Sequence, residues 1–380
     1  MNGRHLVALV LVAVALVGLA WLVSSRRVPV AVEEGPARRT PFLPELRERL
    51  RADAGSIDRI ELQRGDRTTT IVRGADGWTL PDKASYPANQ ERVEEILRSL
   101  AGLEVDQALT SDPSRFSELG LGWPDAAGEA TLVRLLAGGA PVSEVIVGRT
   151  KFTPPSVYVR RVGANETWRC VGSFAAEADA ARLMQPVAVE LPGPAIASIE
   201  WGDGVLRRNE TGAWVAELAA PTATEGAQDA DTSQPAASGA AASTADAAQG
   251  AAPGAGERQA GLARALPELF TRLEIDDVRP AGSTPAEWTV TAQIGDRPVV
   301  VEILPSETTA DTGGRWVRVL VGDAQPGLNA LAPPAETVAA LERVRARTAG
   351  REFRMPTWRA GRLIELLAGD RASPSGQAGE

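Results

Sequence analysis

The sequence predicts an α+β protein: an N-terminal transmembrane helix followed by two tandem repeats of an antiparallel sheet with helices, the second repeat carrying a disordered insert. Three observations lead to this fold class. The first is an uncharged apolar run, Leu6–Val23. The second is a recurring strand-and-helix pattern, marked by LEVD at Leu103–Asp106 and LEID at Leu273–Asp276. The third is a stretch without large apolar residues, Pro221–Arg258, inside the second repeat.

Composition limits the function classes that need to be considered. The chain has 380 residues, enough for two domains, and a net charge of −9, which argues against a nucleic-acid partner. Its one histidine is His5 and its one cysteine is Cys170, which excludes His-based metal sites, His-based catalytic triads and an intramolecular disulfide. We find no catalytic constellation, and we expect no enzyme activity, no cofactor and no metal.

The run Leu6–Val23 predicts an uncleaved single-pass anchor. At ~1.5 Å rise per residue it would extend about 27 Å, which suits a bilayer core. A cleaved signal peptide is the alternative, but no A-x-A site precedes Ser24. We expect the inner membrane as the location, with most of the chain outside the cytoplasm. Arg26 and Arg27 after the anchor favour the opposite orientation, and the sequence leaves this conflict open.

Elements of the first repeat follow from their periodicity. The short segment LPELRERL predicts an amphipathic helix, and Ile57 begins two strands that precede Trp78. Apolar residues spaced i, i+3, i+4, i+7 then predict a helix over Val93–Leu100, with Asn89 as its N-cap. Two hairpins follow, and AAEADAARLM predicts a closing helix.

The second repeat shows the same order of elements. IASIEWGDG matches IDRIELQRG, Trp214 matches Trp78, and WVRVLV matches YVRRV, with Arg318 in the place of Arg160. AETVAALERV is matched to the closing helix of the first repeat, and Met355–Leu367 predicts a terminal helix with an apolar stripe of leucines.

These patterns divide the chain into segments. The inserted run cannot bury enough apolar surface to offset the entropy of ordering, so we expect it to be disordered. The predicted segments are 1–24 transmembrane anchor, 25–52 juxtamembrane stalk and short helix, 53–190 first repeat, 191–370 second repeat with the insert at 219–258, and 371–380 disordered tail.

Aromatic and basic side chains provide the candidate interaction residues. Trp123 lies in a segment that has no counterpart in the second repeat, so it is the tryptophan we expect to be exposed. Tyr158 with Arg160, and Trp316 with Arg318, would alternate with inward-facing valines and so share one face of a strand. They predict either a basic-aromatic strip for a partner or arginines satisfied within the fold.

In the order of its motifs the chain resembles a family of membrane-anchored bacterial proteins with a domain of unknown function (DUF4340). The resemblance covers Ile57–Val189 and is weaker in the second repeat. It rests on the anchor, Ile57-x-x-Ile60, Trp78, Pro87-Ala88, Phe116-x-x-Leu119-Gly120-Leu121 with Pro124, Val147-Gly148 and Tyr158-Val159-Arg160. It implies an extracytoplasmic domain associated with an ABC-type transporter, of the kind found beside gliding-motility systems, and it implies no catalytic residues.

We therefore expect a non-enzymatic, membrane-anchored accessory protein whose partners are the membrane and a permease or auxiliary subunit of such a transporter. A glycan- or peptidoglycan-binding module, or a carboxylate-dependent hydrolase, is the alternative. It would use Trp123 with Asp125 or Glu118. A scaffold facing the cytoplasm is a third interpretation, based on the arginines after the anchor.

Overall fold

Strands with alternating apolar residues form a ten-stranded sheet in the first half of the chain. The computed structural model describes residues 39–125, 129–174, 178–218, 255–307, 314–324 and 333–368. The strands of the first half are β1 (Thr40–Pro41), β2 (Arg59–Arg64), β3 (Arg67–Gly74), β4 (Gly77–Leu80), β5 (Tyr86–Pro87), β6 (Glu104–Ala108), β7 (Thr131–Ala137), β8 (Ala140–Phe152), β9 (Pro155–Arg161) and β10 (Thr167–Val171). They lie in the order β1-β6-β10-β9-β8-β7-β2-β3-β4-β5, and the pairs from β6 to β5 are antiparallel.

The second half forms an eight-stranded antiparallel sheet and a small two-stranded one. Its strands are β11 (Val187–Val189), β12 (Ile196–Trp201), β13 (Gly204–Arg208), β14 (Trp214–Leu218), β15 (Leu273–Glu274), β16 (Asp277–Pro280), β17 (Trp288–Ile294), β18 (Arg297–Ile303), β19 (Arg315–Val321) and β20 (Arg351–Met355). The large sheet has the order β14-β13-β12-β17-β18-β19-β20-β16, and β11 pairs with β15.

The two large sheets share one strand order. Read from β4, the order of the first sheet is β4-β3-β2-β7-β8-β9-β10-β6. Adding ten to each of these strand numbers gives the order of the second sheet, so that β14 corresponds to β4 and β16 to β6. Two copies of one ancestral unit would produce this correspondence. The division at 190 and 191 stays a prediction, because the buried core runs from one half into the other without a break.

The described ranges contain six α-helices. They are α1 (Pro44–Ala52), α2 (Gln90–Gly102), α3 (Ala180–Leu183), α4 (Ala255–Thr271), α5 (Ala335–Thr348) and α6 (Thr357–Ala368). Helix α2 buries the predicted stripe, and the Asn89 side chain accepts a hydrogen bond from the Arg92 amide, as its N-cap role requires. Helix α1 belongs to the same body and not to a stalk: Leu43 and Leu46 are buried, and Arg47 donates to the Ala101 carbonyl of α2.

The structure corrects the first element of the predicted fold class. Within the described ranges, no helix combines the length and apolarity that crossing a bilayer requires. The longest one, α4, is amphipathic and bears exposed Glu257, Arg264 and Glu268. This finding contradicts the transmembrane helix and the single-pass membrane character predicted with it. The run Leu6–Val23, on which that prediction depended, lies outside the described residues.

Two other features differ from the prediction. Helix α5 lies between β19 and β20, so it is an addition to the second copy and not the counterpart of α3. The insert was expected to extend to 258, but α4 begins at Ala255 because Arg258 pairs with Asp203 and donates to the Leu366 carbonyl. Residues 219–254 and 369–380, the rest of the insert and the tail, lie outside the described residues.

Candidate functional site

Arg160 and Tyr158 lie beneath the segment that is absent from the second copy. Phe116 and Leu121, from the 3₁₀ helix Pro113–Leu119 and the turn after it, form a second small apolar cluster with Leu132 and Ile146 on the outer face of the first sheet. Arg160 is buried under this segment, donates to the Leu121 carbonyl at 2.8 Å and stacks on the Phe116 ring. Arg160 therefore holds the segment in place and is not available to a partner.

Arg318 and Trp316 occupy the matching positions of the second sheet, but their surroundings are ionic. Arg318 donates to Glu302 and Glu352, each at 2.7 Å, and the Trp316 ring lies under the guanidinium of Arg279. Glu352 is 1% exposed and also accepts from Arg279 and from the Gly282 amide. Burial alone would raise the pKa of Glu352, but these hydrogen bonds outweigh burial and hold the pKa below its usual range.

The predicted basic-aromatic strip is therefore a structural feature of both sheets. In the first sheet, Arg160 faces Ile146 and Thr167 on the neighbouring strands, and in the second, Arg318 faces Glu302 and Glu352. Both arginines are satisfied inside the fold, which was the alternative that the sequence left open.

Trp123 is the predicted residue that does reach the surface. It is 49% exposed, next to Pro124, whose carbonyl accepts from Gln63. The two carboxyl groups proposed to act with it do not form a buried pair. Glu118 forms an exposed ion pair with Arg115, and Asp125 lies in the turn after Trp123. This arrangement does not favour the hydrolase alternative.

A groove between α4 and α6 was not predicted. The two helices run antiparallel, because Arg258 contacts Leu366 near the end of α6 whereas Arg272 contacts Arg359 near its start. Gly261 allows this close approach, since a Cβ there would lie 2.6 Å from Leu366 Cδ2. The groove encloses about 230 Å³ and is lined by Gly261, Arg264, Ala265, Glu268, Leu269, Trp358, Arg359, Arg362, Leu363 and Leu366.

Among the apolar side chains that line this groove, Trp358 is the most exposed. It is 69% exposed, although the leucine stripe on the same helix is buried. A signal for it was present in the sequence, because Trp358 shares the outer face of α6 with the charged residues Arg362 and Glu365. An aromatic side chain on the charged face of an amphipathic helix does not contribute to the buried core.

The groove carries positive charge on an otherwise acidic chain. Arg359 is buried; its Nη1 donates to the Arg272 carbonyl at 2.8 Å, and its Nη2 has no hydrogen-bond acceptor among the described residues. Arg359 Nη2 lies 3.8 Å from Glu268 Oε2, beyond hydrogen-bond distance. Desolvation lowers the pKa of Arg359, and the nearby Glu268 and Glu274 partly oppose this effect. Arg264 forms no ion pair within the part of the chain that the structure describes.

The side chains of this groove offer apolar and cationic contacts. In the described ranges no three His, Cys, Asp or Glu side chains are grouped so that they could hold a metal ion. What the groove does provide is an exposed indole, apolar walls and guanidinium groups.

Comparison with known protein families identifies the family of this chain. A family model described as "Domain of unknown function (DUF4340)" matches residues 78–286, more than half of the chain. The match begins at Trp78 in β4, passes through the rest of the first sheet and ends after β16 in the second. No curated protein and no solved structure matches the chain.

Proposed function

The chain belongs to the DUF4340 family, and from its architecture we propose that it is a non-enzymatic accessory protein that binds a protein partner through the groove between α4 and α6. The partner class that we propose is the one implied by the family resemblance, a permease or auxiliary subunit of an ABC-type transporter or gliding-motility-like export system.

One observation carries the proposal: Trp358 stands 69% exposed at the edge of an apolar groove. Tryptophan is enriched among the residues that dominate the energy of protein interfaces, and a few such residues account for most of the affinity. The groove volume of about 230 Å³ is below the roughly 300–1,000 Å³ of small-molecule sites. It suits one or two anchoring side chains of a protein.

The test is affinity purification of the tagged full-length protein from its own host, followed by mass spectrometry. Trp358→Ala removes the indole and leaves the buried stripe of α6 intact. Trp123→Ala is the matched control, because it removes another exposed indole far along the chain. We expect transporter components with the wild-type protein and the control, and at least about tenfold less with Trp358→Ala. Equal recovery with Trp358→Ala would contradict the proposal.

Glycan binding at Trp123 is the second candidate. A half-exposed indole in the turn before Asp125 is the observation that favours it. Here the roles of the two variants are reversed: binding of soluble peptidoglycan fragments, measured by calorimetry, should be lost with Trp123→Ala and kept with Trp358→Ala. No binding by the wild-type protein would exclude this candidate.

A further inference from the structure

We propose that the groove recognises an acidic amphipathic segment of the partner, in which a large apolar side chain packs against Trp358 and a neighbouring carboxylate binds Arg359 and Arg264. This inference rests on the proposed function and adds the chemistry of the partner. It follows from the charge of the groove, from an unsatisfied buried donor and from the geometry of the two helices.

Charge complementarity selects an acidic occupant. The chain as a whole has a net charge of −9, yet the residues lining the groove include Arg264, Arg359 and Arg362 and a single acid, Glu268. Arg362 is partly neutralised by an exposed pair with Glu365, whereas Arg264 has no such partner among the described residues. The groove is therefore complementary in charge to a segment that carries carboxylates.

The buried guanidinium shows where a carboxylate would bind. Arg359 lies 9% exposed at the base of the groove, and its Nη2 is a buried donor without an acceptor in the described residues. Leaving a buried donor unsatisfied has a free-energy cost, which is larger when the donor is charged. A carboxylate oxygen placed on Nη2 would remove this cost, and a charge-assisted hydrogen bond is about twice as strong as a neutral one. Glu268 is close enough to orient Arg359 but leaves Nη2 unbonded.

The shape of the groove suits a helix. A third helix can lie between two antiparallel helices, with an apolar side chain on the leucine-lined floor and acidic residues one turn away reaching the arginines. Leu269, Leu363 and Leu366 supply that floor, and Trp358 closes one end.

The experiment uses three synthetic amphipathic peptides without tryptophan as probes. They share one stripe of leucines and carry glutamate, glutamine or lysine on the flanking positions. Affinities for the folded full chain are measured by calorimetry. We expect the glutamate peptide to bind at least tenfold more tightly than the glutamine peptide, and the lysine peptide not to bind. Raising the salt concentration should lower the affinity of the glutamate peptide and leave that of the glutamine peptide unchanged.

Variants of the groove locate the contact. Arg264→Glu changes an exposed residue that has no ion-pair partner among the described residues, so the fold should be retained. It should weaken binding of the glutamate peptide at least tenfold. Arg359→Gln should do the same, but it loses the bond to the Arg272 carbonyl and is therefore checked by circular dichroism. Arg92→Glu is the matched control, an exposed arginine on α2 outside the groove, and should leave the affinity unchanged.

The outcomes separate the two proposals. Equal affinities for the glutamate and glutamine peptides, both weakened by Trp358→Ala, would overturn the acidic specificity and leave the interaction groove standing. Failure of all three peptides to bind would overturn the acidic specificity as well. Retention of transporter components by Trp358→Ala would overturn the proposed function itself. Concentration-dependent dimerisation abolished by Trp358→Ala would show that a second copy fills the groove, and would also overturn the acidic-partner proposal.

Discussion

Burial of the Glu352 carboxylate is sustained by three donors, the guanidinium groups of Arg279 and Arg318 and the amide of Gly282. Each arginine also has a second acid, Glu307 and Glu302 respectively. These side chains form a network in which each charge is paired and hydrogen-bonded. Removing one member of such a network destabilises the folded protein.

Replacing Glu352 by glutamine should destabilise the protein by about 2 to 3 kcal/mol. This is less than the roughly 3–5 kcal/mol for breaking a fully buried pair, because Glu302 and Glu307 still neutralise the arginines. Urea unfolding measures the change. The control is Glu287→Gln, which removes a more exposed pair with Arg315 and should cost less than about 1 kcal/mol. Equal costs for the two variants would show that the network adds nothing beyond a surface pair.

The lowered pKa of Glu352 also predicts a pH dependence. A carboxyl group whose pKa is lower in the folded state contributes stability that is complete above its unfolded pKa of about 4.3. That contribution is lost as the pH falls through the folded pKa. The difference in unfolding free energy between the wild-type protein and Glu352→Gln should therefore be largest near neutral pH and shrink below about pH 4. A difference that stays constant down to pH 2 would contradict the lowered pKa.

At the scale of elements, the segment Pro113–Leu121 depends on a glycine in the strand beneath it. A Cβ on Gly148 would lie 2.5 Å from the Leu119 carbonyl oxygen and 2.8 Å from that of Gly120. Gly120 itself has φ +66°, a conformation that favours glycine. These contacts explain physically why the motifs Leu119-Gly120-Leu121 and Val147-Gly148 occur together.

Gly148→Ala should lift this segment from the sheet. The clash is with backbone atoms that cannot rotate away, so we expect a loss of about 1–3 kcal/mol, typical of overpacking. Hydrogen exchange should also accelerate at the Leu121 amide, which is bonded to the Phe116 carbonyl. The control is Gly122→Ala, one residue after the segment, where a Cβ meets nothing within 4 Å. Unchanged exchange at Leu121 in Gly148→Ala would show that the strand bends instead.

Elements with a full periodic pattern were predictable from the sequence, and shorter ones were not. The stripe of α2 and its N-cap at Asn89 are confirmed, because apolar residues spaced i, i+3, i+4, i+7 over about two turns fit a helix and do not fit a strand. Strand β20 was not predicted, because it has only five residues. Phe353 and Met355 alternate with charged residues, so the sequence does not show that Glu352, on the other face of the strand, is also buried. The groove was missed for another reason, because a leucine stripe identifies the face of α6 that is buried and says nothing about what the opposite face contacts.

At the scale of the whole molecule, the two halves are held together by polar contacts at a strained turn. Ala84 and Ser85 both have positive φ, which is unfavourable for residues with a Cβ. Their carbonyls accept from Arg351 of the second half at 2.9 and 3.4 Å, and Lys83 pairs with Asp277 at 2.6 Å. Tyr86 extends the junction by packing edge-on against Phe353.

This junction and the continuous core predict that the protein unfolds as one unit. The thiol of Cys170 can report on this, because it is buried in the first sheet and burial, with a smaller contribution from Asp106, raises its pKa to about 12. At neutral pH it is protonated and unreactive, so a thiol reagent should label it only when the fold opens. In urea, the labelling midpoint should coincide with the loss of circular dichroism. Arg351→Ala, although it lies in the other half, should lower both midpoints together. Labelling of Cys170 at urea concentrations where the dichroism of Arg351→Ala is still native would show instead that the first sheet opens alone.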